Sequence, residues 1–295
     1  MIKSNSIFLL LLLLVGSVHS VVSAPISNMD DCADEQQLKI LSWNIYMLPN
    51  VVARKGRCER AEAIVNELKN ADYNIIVFQE AFHEKARGII SNGLNETYPY
   101  QYGPYNDKPG LKISSGVWVV SKLPLQELKS IEFKNCAGID CMSRKGAVLL
   151  EGKVNEKSFQ ILGTHLQSDQ QQLIRYRQMD QIYVELLAEF RKNDVPQFLC
   201  GDMNTEAEIK ERYCEMLNCF DAEDGTFASV EQHTYNADDN DLALSQGGVG
   251  KSSLDYILVR NNGAKMKAIK RYVSVLKKGK KHLSDHYGVV CEVKF

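Results

Sequence analysis

Eight cysteines are present, yet no two Cys-x-x-Cys units stand at zinc spacing, which argues against a structural zinc site. A basic excess is also missing. Lys and Arg total 35 against 37 Asp and Glu, giving a net charge of -2. A chain that grips nucleic acid by its phosphates usually carries such an excess. No internal repeat, linker or low-complexity tract follows the first residues. No serine or cysteine nucleophile motif competes for a catalytic role. A nucleotide-binding loop is missing too, although Gly247-Gly248-Val249-Gly250-Lys251-Ser252 looks like one. That pattern needs glycine at 245, which is Ser245, and the stretch precedes a strand pattern instead of opening a helix. It reads as a loop.

The chain begins with Lys3 and an apolar run, Ile7 to Val15, followed by Val22-Ser23-Ala24. This is the pattern of a signal peptide cleaved after Ala24, with an uncleaved anchor as the alternative. The run is short against the ~20 apolar residues of a membrane span, and nothing later is long enough. The expected product is a secreted, extracellular protein with one domain, 25–295. The full chain of 295 residues is 44% hydrophobic, enough for a sizeable core. Secretion permits disulfides. Cys136 and Cys141 flank a short turn and make the first candidate pair. Cys214 with Cys219 and Cys32 with Cys58 are further candidates, and Cys200 and Cys291 lie in apolar runs as buried thiols. Asn95-Glu96-Thr97 is an N-glycosylation acceptor.

Strand and helix patterns alternate. Leu38 to Trp43, Ile75 to Phe78, Val117 to Val120, Ala147 to Leu150, Phe159 to Gly163, Gln197 to Cys200, Leu254 to Val259, Ile269 to Leu276 and Gly288 to Val293 read as strands. Arg57 to Lys69 reads as a helix with Ala61, Ile64, Val65 and Leu68 on one face. A longer helix, Gln170 to Arg191, repeats Leu173, Tyr176, Met179, Tyr183, Leu186 and Phe190 at helical spacing. Many apolar strands with few helices predict an α/β fold of two packed sheets with helices outside.

Polar groups gather at the strand ends. Asn44 closes the first strand. Glu80 abuts a buried strand, where a carboxylate is costly unless it is paired or holds a cation. Hard cations such as Mg2+ prefer oxygen ligands, and an ion pair at the sheet edge is the alternative. His165 follows another strand, and histidine is the side chain best placed to move protons near neutral pH. Gly201-Asp202-Met203-Asn204 follows Phe198 to Cys200. Gly201 allows a bend there, and in extended chain Asp202 and Asn204 share a face. Asp255 sits inside an apolar strand, where it can stabilise a histidine that becomes positive. Asp285-His286 precedes the final strand. Each motif alone is weak. Together they offer only oxygens and imidazoles, which suits hydrolysis by activated water with a metal stabilising phosphate charge.

In this order, Trp43-Asn44, Gln79-Glu80, Gly163-Thr164-His165, Gly201-Asp202-Met203-Asn204, Leu254-Asp255-Tyr256 and Ser284-Asp285-His286 resemble the DNase-I-like endonuclease/exonuclease/phosphatase superfamily. Asn44-Ile45-Tyr46-Met47-Leu48, Glu59-Arg60-Ala61, Asn135-Cys136-Ala137-Gly138 and Ser143-Arg144-Lys145-Gly146 look most like its secreted neutral sphingomyelinases of the bacterial type. The resemblance implies a four-layer α/β sandwich of two mixed sheets flanked by helices. It implies cleavage of sphingomyelin to ceramide and phosphocholine with Mg2+, Mn2+ and Co2+ being alternative ions. Glu80, Asn44 and Asp285 go with the metal. Asp202 and Asn204 hold water and phosphate. His286, oriented by Asp255, is the general base, and His165 donates to the phosphate or leaving oxygen. A monomer touching sphingomyelin in a membrane surface, with no nucleic acid partner, is expected. A secreted nuclease on the same fold is the rival.

Two departures stand out. Where those enzymes carry an acidic pair before the strand at Gly116-Val117, this chain has Ile113-Ser114-Ser115, which removes acids a second metal site needs. Where they carry an exposed aromatic hairpin, Leu276 to Leu283 is short and basic. It is either a solvated loop or a contact for anionic head groups. Phe82, Tyr98, Tyr100, Tyr102 and Tyr105 are candidate apolar or choline contacts, or loop packing.

Overall fold

The computed structural model describes residues 37–49, 56–225, 227–266 and 268–295. The leader and Cys32 lie outside them, so the expected cleavage and the Cys32–Cys58 pair do too. In chain order the strands are β1 (Gln37–Asn44), β2 (Ile75–Gln79), β3 (Tyr100–Tyr102), β4 (Trp118–Ser121), β5 (Leu125–Glu132), β6 (Gly146–Val154), β7 (Lys157–His165), β8 (Gln197–Asp202), β9 (Tyr235–Asn236), β10 (Lys251–Ser252), β11 (Asp255–Arg260), β12 (Ala268–Ser274), β13 (Lys277–Lys278), β14 (Lys281–His282) and β15 (Gly288–Lys294). The α-helices are α1 (Arg57–Leu68), α2 (Glu84–Leu94), α3 (Gln172–Ile182), α4 (Lys210–Phe220) and α5 (Asp241–Ser245). A π-helical stretch, Tyr183–Ala188, prolongs α3.

Two sheets dominate. One has the order β12-β15-β1-β2-β4-β3, the other β11-β8-β7-β6-β5. Both are mixed: β1 and β2 run parallel, as do β7 and β8, while the other pairings in these sheets are antiparallel. Strand side chains alternate between faces, so a sheet covered on both sides reads as an unbroken apolar run. In β1, Leu38 and Ile40 face the other sheet, and Leu41 and Trp43 face α1 and α2. In β8, Phe198 and Cys200 meet the first sheet, and Leu199 meets α3 and α4. Three apolar layers thus separate four layers of structure. Each fully buried aliphatic side chain contributes about 1.5–3 kcal/mol.

Four expectations need correction. Cys136–Cys141 is a disulfide, but Cys214 and Cys219 are free, because both lie on α4 at a spacing that places them on different faces. Tyr98 and Tyr105 are buried in the core and offer no exposed contact. Leu173 is exposed, so the apolar face of the long helix begins at Tyr176. Gly201 makes no bend. It lies within β8, where a Cβ would meet the Thr164 carbonyl oxygen at 2.3 Å.

Candidate active site

Register brings the polar residues to one edge of the sandwich. Parallel β1 and β2 end together at the pair Asn44–Gln79. Parallel β7 and β8 end at the pair His165–Asp202. Antiparallel β11 begins opposite, with Asp255 beside Asp202. β15 runs antiparallel to β1, so the residues just before it, Asp285 and His286, arrive at the same edge. Among them Asn44, His165, Asp202 and Asp255 are each buried.

A histidine–aspartate pair forms the centre. His286 Nδ1 lies 2.8 Å from Asp255 Oδ2. Its other nitrogen, Nε2, faces Asp202 Oδ2 at 3.9 Å. Burial works against a charged imidazole here, but Asp255, Asp202 and Asp285 outweigh it and raise the His286 pKa well above its usual value. Burial raises Asp255 to about 6, against the pull of His286. Burial would raise Asp202 as well, yet His165, His286 and the amide of Asn44 hold it below the ordinary carboxylate range. Asn44 Nδ2 donates to Asp202 Oδ2 at 3.1 Å, linking the two sheets. Asn204 turns into the left-handed region at φ 48°, so the pair is not extended as expected. Its backbone N–H donates to Asp202 Oδ1 at 3.0 Å, and its side chain to the Leu166 carbonyl at 3.1 Å.

His165 has a different environment. Lys145 Nζ sits 3.2 Å from its Nε2 and also donates to Asp140 Oδ2 and to the Leu166 carbonyl, each at 2.9 Å. An ammonium only donates, so His165 Nε2 accepts and its proton belongs on Nδ1, which is buried with no protein partner. Burial, then the Lys145 charge, lowers the His165 pKa to about 4. His165 is therefore neutral, and donation from Nε2 requires the other tautomer with Lys145 turned away.

Glu80 adopts φ 56° just past β2, and its Oε2 is buried without a hydrogen-bond partner among the described residues. Burial and the charge of Asp285 raise it to about 8. Burial raises Asp285 too, offset by His286 and Arg60. Two acids raised by burial, one of them also by the other's charge, lie at the same edge as an orphaned oxygen and the oxygen of Asn44 and form a donor set suited to a hard divalent cation.

Several functional residues carried no assignable signal in sequence. Lys145 is visible only inside a matching segment, and Asp140 in none. Arg60 donates to the carbonyls of Ile45 at 3.0 Å and Leu283 at 2.7 Å, and also to that of Tyr46, fixing the loops on both sides of the acids. Thr234 accepts from the backbone N–H of Asp255 at 3.0 Å. Asn240, fully buried, donates to the carbonyls of Ser284 at 2.9 Å and Asp285 at 3.1 Å. The Thr234 and Asn240 contacts span 21 to 45 positions and leave no local pattern.

The site opens into a cavity of about 600 Å3. Glu80, Lys145, His165, Asp202, Asn204 and His286 make its polar floor. Its walls are apolar: Leu48, Pro49, Phe82, Leu111, Ile113, Ile139 and Met142. Phe82 presses on Gly116, whose φ of 74° and lack of a Cβ (one would sit 2.6 Å from the ring) make that approach possible. Tyr100 and Tyr102 are absent from the walls. The basic hairpin is held down separately, with His282 Nδ1 2.7 Å from Asp241 Oδ1 and Lys277 Nζ 3.2 Å from Asp239 Oδ2.

Comparison with known proteins agrees with this arrangement. The chain is 30% identical to the protein named Sphingomyelinase C 2 of Leptospira interrogans over 77% of its own length, although it spans only 40% of that protein. It is 29% identical to a Phospholipase C of Staphylococcus aureus, over 83% of this chain and 79% of the other. A crystal structure of Sphingomyelinase C from Streptomyces griseocarneus superposes with a TM-score of 0.77 at 23% identity, covering 87% of this chain and 99% of that one. A Staphylococcus aureus beta toxin mutant with bound magnesium ions gives 0.77 at 24% identity, over 86% and 99%. These solved structures share the four-layer fold. Residues 41–286 match the model of the Endonuclease/Exonuclease/phosphatase family. The match starts in the strand that ends on Asn44 and finishes on His286, and the chain belongs to that family.

Proposed function

We propose that the chain hydrolyses sphingomyelin to ceramide and phosphocholine as a Mg2+-dependent phosphodiesterase. One observation carries this reading: a floor of acids, amide and imidazoles lies at the bottom of an apolar-walled cavity. A nuclease has little use for walls of Leu48, Pro49, Phe82 and Ile113, whereas a lipid phosphodiester brings an apolar body with its charged group. The relatives named sphingomyelinase support the substrate, and the magnesium in the beta toxin neighbour supports the ion.

Glu80, Asp285 and Asn44 would hold the cation, which supplies charge stabilisation for the phosphate when bound. In its deprotonated form His286 takes a proton from water at Nε2, and Asp255 at 2.8 Å keeps the ring oriented and stabilises the imidazolium formed, the same charge that raises the His286 pKa. Asp202 and Asn204 fix water and phosphate oxygens beside that nitrogen. Lys145 keeps His165 neutral until its Nε2 is needed as a donor. Residues 1–24 act as a leader for export. The Cys136–Cys141 disulfide fits an oxidising compartment.

Purified protein incubated with sphingomyelin, phosphatidylcholine or plasmid DNA, each with Mg2+ or EDTA, tests the assignment. Phosphocholine release from sphingomyelin that EDTA abolishes is expected. Nicking of DNA with intact sphingomyelin would overturn it in favour of a nuclease.

A further inference from the structure

We infer that the mouth of the cavity is a membrane-docking rim built from two loops, centred on Leu111 and on Ile139 with Met142. The inference rests on the lipid reading above for what enters the cavity. Leu111 is 96% exposed, Ile139 71% and Met142 58%. Exposed apolar side chains occurring singly are ordinary, but these three converge on one cavity mouth, and a grouped exposed patch marks an interaction surface. The loops are fixed to each other. The Ile113 N–H donates to the Met142 carbonyl at 3.0 Å, and the Arg144 N–H to the Ile113 carbonyl at 2.9 Å. The Cys136–Cys141 bond closes the second loop at its base. A rim held open in this way loses little conformational entropy when it meets a surface.

Its position selects the occupant. The rim side chains line the same cavity as the polar floor, so a folded protein seated on them would cover that cavity. A lipid layer covers the same side chains and delivers its own molecules through the opening. The basic hairpin does not share this position. None of Lys277, Lys278, Lys280 and Lys281 lines the cavity, and Lys277 is engaged by Asp239. Apolar insertion therefore holds the protein on the surface, and charge attraction is secondary.

Flotation with neutral sphingomyelin–phosphatidylcholine vesicles, in EDTA so that no turnover occurs, tests this. Wild-type protein binds, and equally well at low and high salt, because apolar contacts are not screened. The Leu111→Ser/Ile139→Ser/Met142→Ser variant binds on the order of 100-fold more weakly. Its rate on a small water-soluble phosphodiester falls far less than its vesicle binding, because the three are exposed apolar wall residues and not part of the polar floor. Each side chain is exposed, so the variant folds, and circular dichroism verifies it. Wild-type binding by the triple variant overturns the inference, as does binding lost at high salt or by a variant with the four hairpin lysines changed to Gln. A self-associated dimer that the triple variant abolishes while vesicle binding persists overturns it in favour of a second copy. A protein held on vesicles through the rim but inert toward sphingomyelin leaves the docking surface in place and removes only the substrate assignment.

Discussion

Replacing Glu80 by Gln should stabilise the metal-free protein while destroying its activity. Burial and Asp285 lift the Glu80 carboxyl from 4.5 to about 8. The folded chain then keeps a proton that the unfolded chain has released, so stability falls as pH rises across that window. At about 1.4 kcal/mol per pH unit, the span corresponds to on the order of 5 kcal/mol lost by pH 8. Gln is neutral throughout and escapes the loss. A chain of this size shifts its Tm by about 2–4 °C per kcal/mol. The variant should therefore melt about 10 °C or more above wild type at pH 8 in EDTA, and the two should converge near pH 4.5. Mg2+ at 100 times its Kd returns about 2.7 kcal/mol to wild type and much less to the variant. Calorimetry in EDTA and in Mg2+, across pH, reads all of this. A variant that melts at or below wild type at pH 8, or that gains as much from Mg2+, refutes Glu80 as the strained cation ligand.

Three further outcomes follow from the same geometry. His286→Ala should lose turnover by about 10²–10⁴-fold, the usual worth of a positioned base, with Tm nearly unchanged, while Asp255→Asn removes the charge that raises His286 and moves the acid limb of the kcat profile to lower pH; an unmoved limb in a folded variant would count against the pair. Lys145→Met should raise the His165 pKa from about 4 without restoring it fully, because burial remains, and should destabilise the chain by about 3 kcal/mol by leaving Asp140 unpaired; histidine NMR titration and denaturant melts report both, and a His165 that stays where it was excludes the Lys145 contact. Gly201→Ala should cost more than about 3 kcal/mol, as a Cβ 2.3 Å from the Thr164 carbonyl forces β7 and β8 apart; a Tm within a few degrees of wild type would mean the strands yield easily.

Strands buried on both faces declare themselves as apolar runs, so Ile75 to Phe78 and Phe198 to Cys200 were visible at once. β5 was not. It is an edge strand with a bulge between Glu127 and Lys129, and its burial alternates with charge. The candidate site residues were legible because each sits next to such a run. Their supports were not. Thr234 and Asn240 act through backbone contacts with residues far along the chain. Lys145 looks like any surface lysine until β6 and β7 pair and bury it against His165. Gly201 was legible as important but for the wrong reason, since close strand approach leaves the same residue as a bend. Tyr98 and Tyr105 misled because an aromatic in a polar stretch reads alike whether it points outward or in.

The hydrogen bond from Asn44 to Asp202 joins the last residue of one sheet to the last residue of the other. Neither sheet owns the chemistry, and the site works as a gauge of how the two slabs are aligned. Sliding them by a fraction of an ångström lengthens this bond before it breaks any strand pairing. Interdigitating side chains between the slabs, such as Val77 and Val117 against Gly163, set that alignment. Truncating them should therefore cost catalysis earlier than it costs folding, so the interior of the sandwich is part of the tolerance to which the active site is built.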